Sequence, residues 1–162
     1  MSILEWCQWL QNTPVGAGIR ESAYTYPIIE GSHVMGLALS VGTVMWFDLR
    51  LLGVAMRRDT VSSVFTQVRP WMFLGFAVMF MTGALLFASR AVDAYESTYF
   101  RIKTGLLILG ALNIVLFHTT IDRQRHEWET SMPPVRARLA GAASLVLWFG
   151  IIAAGRIMAY NL

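Results

Sequence analysis

Cysteine is almost absent from this sequence. Cys7 stands alone among 162 residues, which excludes an intramolecular disulfide, a Cys-x-x-Cys redox pair and a thiolate zinc site within one chain. Charge is scarce as well: Asp, Glu, Lys and Arg make up 14% of residues, against a hydrophobic share of 56% and a mean hydropathy of +0.52. That balance is too apolar for an ordinary water-soluble domain. Familiar catalytic signatures are missing. There is no Walker loop, no Gly-x-Ser-x-Gly, no His-Glu-x-x-His and no dinucleotide fingerprint after a strand; Gly16-Ala17-Gly18 reads as a loop. The first ten residues lack the marks of a cleaved signal peptide, with Glu5 where a basic region belongs, so the segment is expected to stay on the mature chain. Nor does the net charge of +3 point to nucleic acid, because the thirteen Lys and Arg residues flank apolar runs instead of clustering with exposed aromatics.

What is present is four apolar runs, 27–47, 71–89, 100–119 and 139–160, each near the length a helix needs to span hydrocarbon. They predict an all-α integral membrane four-helix bundle in one domain over residues 1–162, with the lipid bilayer as its first partner. Arg50, Arg57, Arg58 and Arg69 in the first loop, and Arg123, Arg125, Arg136 and Arg138 in the third, place those loops in the cytoplasm and both termini outside. Tyr24, Tyr26, Tyr95, Tyr99 and Tyr160 fall at the outer ends, and Trp46, Trp71 and Trp128 mark the inner belt.

Two shorter helices are expected beside the spans. Ile3, Trp6, Cys7 and Leu10 recur at helical spacing, which suits an N-terminal helix lying in the headgroup region or packed on the bundle. Asp59 or Thr60 can cap a short cytoplasmic amphipathic helix with Val61, Val64, Phe65 and Val68 on one face and Pro70 as its stop. Ser32, Gly36 and Ser40, with Gly75 and Gly83, are small residues that let helices approach closely in lipid.

The candidate chemistry sits on the first, third and fourth spans. Glu30, His33, Lys103 and Arg156 all fall toward the outer side, and ionisable groups there face the bundle interior, pair, snorkel or serve a ligand. His33 lies about two turns inside its helix, too deep for an imidazole to snorkel. It can bind haem iron, bind copper or zinc, relay protons or bond a helix backbone. His118 lies near the cytoplasmic end of the third span, its depth roughly 15 Å from that of His33, so the two are not expected to share one iron. His118 can act with Asn113 and Ser144, while His126 reads as solvated loop. Met72, Met79, Met81 and Met158 can offer soft ligands but suit apolar filling better.

The run His33-Val34-Met35-Gly36, the stretch Trp46-Phe47-Asp48-Leu49-Arg50-Leu51-Leu52-Gly53, and Arg101-Ile102-Lys103 opening the third span resemble a group of small bacterial multi-helix membrane proteins. That group includes HemJ-type protoporphyrinogen oxidases and CopD-type copper-resistance proteins. The similarity covers about a third of the chain, and the Asp-Leu-Arg stretch, His118 and Arg156 depart from the HemJ pattern; an uncharacterised sister family fits best. The resemblance implies a b-type haem on His33 with Lys103 and Arg156 beside it, in an inner-membrane redox protein or an electron-transfer subunit partnered by membrane or periplasmic redox proteins. The cofactor-binding candidates are thus His33, Lys103, Arg156, Glu30 and His118. The alternatives are a CopD-like copper or ion permease and a non-catalytic helical subunit.

Overall fold

The computed structural model describes residues 2–160, apart from the side chains of Gln124 and Arg125; Arg125, counted above among the third-loop arginines, therefore lies outside the described set. The architecture is all-helical, with no strand among the described residues. Two short helices, α1 (Ile3–Gln11) and α2 (Pro14–Glu21), precede α3 (Thr25–Leu51), α4 (Val61–Ser89), the short α5 (Ala91–Glu96), α6 (Thr98–Leu116) and α7 (Val135–Tyr160). A π-helical turn, Phe117–Ile121, prolongs α6. Helices α3, α4, α6 with its extension, and α7 are long and apolar enough to cross a membrane, and each contains one predicted span. Val146 and Phe149 on α7 are 72% and 78% exposed, an outward apolar surface that calls for lipid.

The long helices run antiparallel. His33 meets Thr82 and Ser40 meets Gly75 between α3 and α4, while Asn113 meets Ala140 between α6 and α7. Helix α7 also packs on α3, so the order around the bundle is α4, α3, α7, α6. The seam between α3 and α4 is the tightest. A Cβ placed on Gly75 would lie 2.5 Å from the Ser40 backbone nitrogen, and one on Gly36 would lie 3.0 Å from that of Met79. The small-residue pattern thus serves packing, as van der Waals contact between backbones drives helix association in lipid.

The end of the bundle formed by the 52–60 and 122–134 connections holds its main core: Phe47, Leu51, Val61, Val64, Val68, Phe117, Trp128 and Ala137. Arg50 lies in that core, 2% exposed. Its Nε donates to the Asp59 carbonyl at 2.9 Å and its Nη2 to the Glu129 carbonyl at 3.4 Å. The Glu129 carboxylate accepts the Ser62 amide at 2.7 Å, so one arginine and one glutamate tie both loops to the start of α4. Gly53, with φ of 71°, supplies the left-handed residue that ends α3.

Three local expectations change. The amphipathic segment has its predicted cap, with Thr60 accepting the Ser63 amide, and its predicted apolar face. It runs on past Pro70 into the second span as one helix, because that face is already buried in the core and Pro70 falls on the exposed side. Trp128 is 6% exposed and belongs to the core, not to a belt, whereas Trp46 and Trp71 stay more than half exposed. Gly16 and Gly18 lie in a helix: Thr13 caps α2, Pro14 takes its first position, and Gly16 lets it press on the Ala88 carbonyl. Helix α1, closed by a Ser2 and Glu5 capping box, packs on the bundle, the second of the two placements expected for it. It buries Cys7 against the bundle and leaves Ile3, Trp6 and Trp9 outward.

Candidate functional site

Two polar centres sit at opposite ends of the bundle. The first is built on His33, in the third turn of α3. Gly83 on α4 makes room for the ring; a Cβ there would stand 3.1 Å from His33 Cε1. His33 Nδ1 lies 3.0 Å from Thr82 Oγ1, whose own hydroxyl donates to the Val78 carbonyl at 2.6 Å. With its proton so committed, Thr82 accepts, and the imidazole takes the tautomer with the proton on Nδ1. The Met79 carbonyl is a second hydrogen-bonding neighbour of the ring, and in this tautomer the lone pair that an acid, a metal or a proton would meet is on Nε2. This is the orientation that a second hydrogen bond imposes on metal-binding histidines.

Lys103, the only lysine in the chain, is half-buried, with Nζ 3.5 Å from where a Cβ on Gly155 of α7 would be. Lys103 and Glu30 both lie near enough to His33 to act on it electrostatically, though none of the three forms an ion pair with another within 4 Å. Arg156 follows Gly155 in sequence but turns outward, its guanidinium 5.3 Å from the Tyr160 ring. The structure therefore gathers Glu30, His33 and Lys103 from the predicted set and leaves Arg156 at their rim.

His118 belongs to the other end. It packs on Phe65 at 5.8 Å, seventeen positions before Thr82 on α4 and so about 25 Å from His33. Its Nδ1 lies 3.0 Å from Asp122 Oδ2 across the π-helical turn. Asn113 clamps helices, donating to the Ala140 carbonyl at 3.0 Å.

Near His118 opens a feature that the sequence did not announce. Helices α4 and α6 face each other across a cleft of about 1110 Å³, floored by α3 and α7. Phe73, Phe76 and Phe80 line one wall, Leu107 and Ile114 the other, and Trp148 the floor. Asp48 also lines it. This carboxyl is 4% exposed, has the Ser144 hydroxyl as its hydrogen-bonding neighbour, and leaves Oδ2 without a partner. In the sequence Asp48 stands just past the apolar run 27–47, and no site role is assigned to it there. The signal was the helix-forming stretch on to Leu51, which carries Asp48 inside.

These features define a multi-pass helical membrane protein with two separate polar centres. The chain belongs to DUF6644, a family of unknown function, whose model matches residues 12–161. No curated protein and no solved structure matches it.

Proposed function

We propose that this is a haem-b-binding redox protein of the bacterial inner membrane, an oxidoreductase or electron-carrying subunit, with both termini external and His33 Nε2 as axial iron ligand. The Thr82 contact carries the reading, since donation from Nδ1 to a hydroxyl whose own proton goes to Val78 leaves the ring's lone pair on Nε2, inside an apolar helix. Lys103 can give a propionate a charge-assisted bond, and Arg156 can do so at the rim. Bound there, haem supplies one-electron chemistry. The likeness of His33 and Lys103 to the histidine and lysine of HemJ-type proteins supports the same choice. A CopD-like bare copper site is less well served: among the described residues no three His, Cys, Asp or Glu side chains converge, whereas a porphyrin brings four nitrogens and needs one imidazole.

An absorption spectrum of the purified protein tests it. A Soret band is expected, lost in His33→Ala and kept in His126→Ala. A band that survives His33→Ala and disappears in His118→Ala overturns the assignment. The orientation rests on the arginines of the two loops. In a Cys7→Ser background, a cysteine at position 95 should react with an impermeant thiol reagent in intact cells and one at position 58 only after lysis; the reverse pattern rejects it.

A further inference from the structure

The cleft between α4 and α6 has an occupant class written into its lining. We propose that it binds a lipid-soluble quinone or quinol, with the ring's oxygen on the Asp48 carboxyl and the tail lying between α4 and α6. This site is separate from the one at His33 and stands whether or not haem binds there.

Three observations lead to it. The first is the orphaned carboxyl. A buried polar atom with no partner costs free energy, and Asp48 Oδ2 has none while its residue lines a cleft. A ligand oxygen can supply what is missing in either state: a carboxylate accepts a quinol hydroxyl, and a carboxylic acid donates to a quinone carbonyl. The hydroxyl of a sterol or a diacylglycerol can meet either state as well, but neither brings a flat aromatic ring. The second is the lining. Phe76 lies 5.5 Å from Trp148 and 6.0 Å from Phe80, a set of ring faces suited to a flat ring. At about 1110 Å³ the volume slightly exceeds the roughly 300–1,000 Å³ of drug-sized sites, enough for a ring and part of a tail.

The third is access and charge. Helices α4 and α6 do not close on each other, so the cleft opens sideways where a lipid-soluble molecule can enter. Apart from Thr104 its polar residues gather at the His118 end, where Asp48 and the His118-bonded Asp122 oppose an anionic phospholipid headgroup, while Arg69 is the one Lys or Arg among the lining residues and lies over the Phe73 ring at 5.8 Å. A neutral headgroup suits this end better than a phosphate.

The test uses the full chain in phosphatidylcholine nanodiscs, titrated with decylubiquinone and decylubiquinol while tryptophan fluorescence is followed. Saturable quenching is expected, most of it lost in Trp148→Phe. Asp48→Leu should weaken binding about tenfold, the worth of a hydrogen bond to a charged group, while thermal stability holds or rises because an unpaired carboxyl has gone. Asp48→Asn keeps the shape but fixes which atom donates, so it should change the ratio of quinone to quinol affinity at least about threefold. Quenching that never saturates and is the same in Trp148→Phe means partition into lipid and rejects the site. Displacement by undecylbenzene as potently as by the quinone shows an acyl-chain slot and rejects the headgroup contact, as does unchanged affinity in both Asp48 variants. The haem absorption should be indifferent to all these variants, so failure here and failure at His33 are told apart.

Discussion

Toward α3, helix α4 presents Gly75 and Met79 and comes into backbone contact; toward α6 it presents Phe73, Phe76 and Phe80 and stays apart. The same helix, in the same surroundings, thus makes one closed seam and one open cleft. In water both faces would be driven shut. In lipid, apolar side chains gain nothing from leaving the solvent, and small residues that allow close van der Waals contact decide where helices meet. The two polar centres follow this division. His33 sits in the seam, where Gly83 and Thr82 fix its ring. Asp48 sits at the floor of the cleft, where one oxygen finds no protein partner.

The comparison breaks most severely if the seam is forced open. In Gly75→Leu the first added carbon already meets the Ser40 nitrogen at 2.5 Å and the Gly36 carbonyl at 2.9 Å, both backbone atoms that cannot swing aside. The cost should reach or exceed the upper end of overpacking, about 3 kcal/mol, and the purified protein should aggregate or melt far below the parent. Gly42→Leu, on α3, is the control, because a Cβ there meets nothing within 4 Å. Equal melting of the two variants, followed by circular dichroism in detergent, would show that seam contact is not what holds α3 to α4.

Much of this arrangement was legible in the sequence because its causes are local. Hydropathy over about 20 residues marks a span whatever packs beside it, and Ser32, Gly36 and Ser40 on one helix, like Gly75 and Gly83 on the next, recur at spacings that put small residues on one face of each. His33 stood out because a short imidazole deep in a span has few options. The rest depended on contacts between distant segments. Whether Pro70 ends a helix turned on the burial of Val61, Val64 and Val68 against Phe47 and Phe117. Trp128 reads as an interface residue until the 122–134 connection folds over α3, held there by Arg50 and Glu129. Asp48 becomes a buried carboxyl only once α7 brings Ser144 beside it, and nothing near position 48 records that. Arg156, read as a ligand to an outer site, turned to Tyr160 one helical turn away, a local choice that composition does not reveal.

The smallest expected effect sharpens the contrast at its other side. Phe73 lines the cleft wall and is 57% exposed, with the Arg69 guanidinium 5.8 Å from its ring. Phe47, at 9% exposed, packs on Phe65 at 5.3 Å and on Phe117 at 6.1 Å in the main core. Truncating Phe47 to Ala leaves a cavity among fixed neighbours and should cost about 3–5 kcal/mol. Truncating Phe73 to Ala leaves a space that lipid can enter and removes little beyond the cation–π contact, so about 0.5–1 kcal/mol is expected. The ranking should persist in nanodiscs and in detergent, since both fill the gap with chains. Thermal unfolding of the two variants side by side checks it. If Phe73→Ala falls as far as Phe47→Ala, the α6-facing side of α4 is packed as firmly as the side facing α3, and size of side chain no longer explains why one interface closed and the other did not.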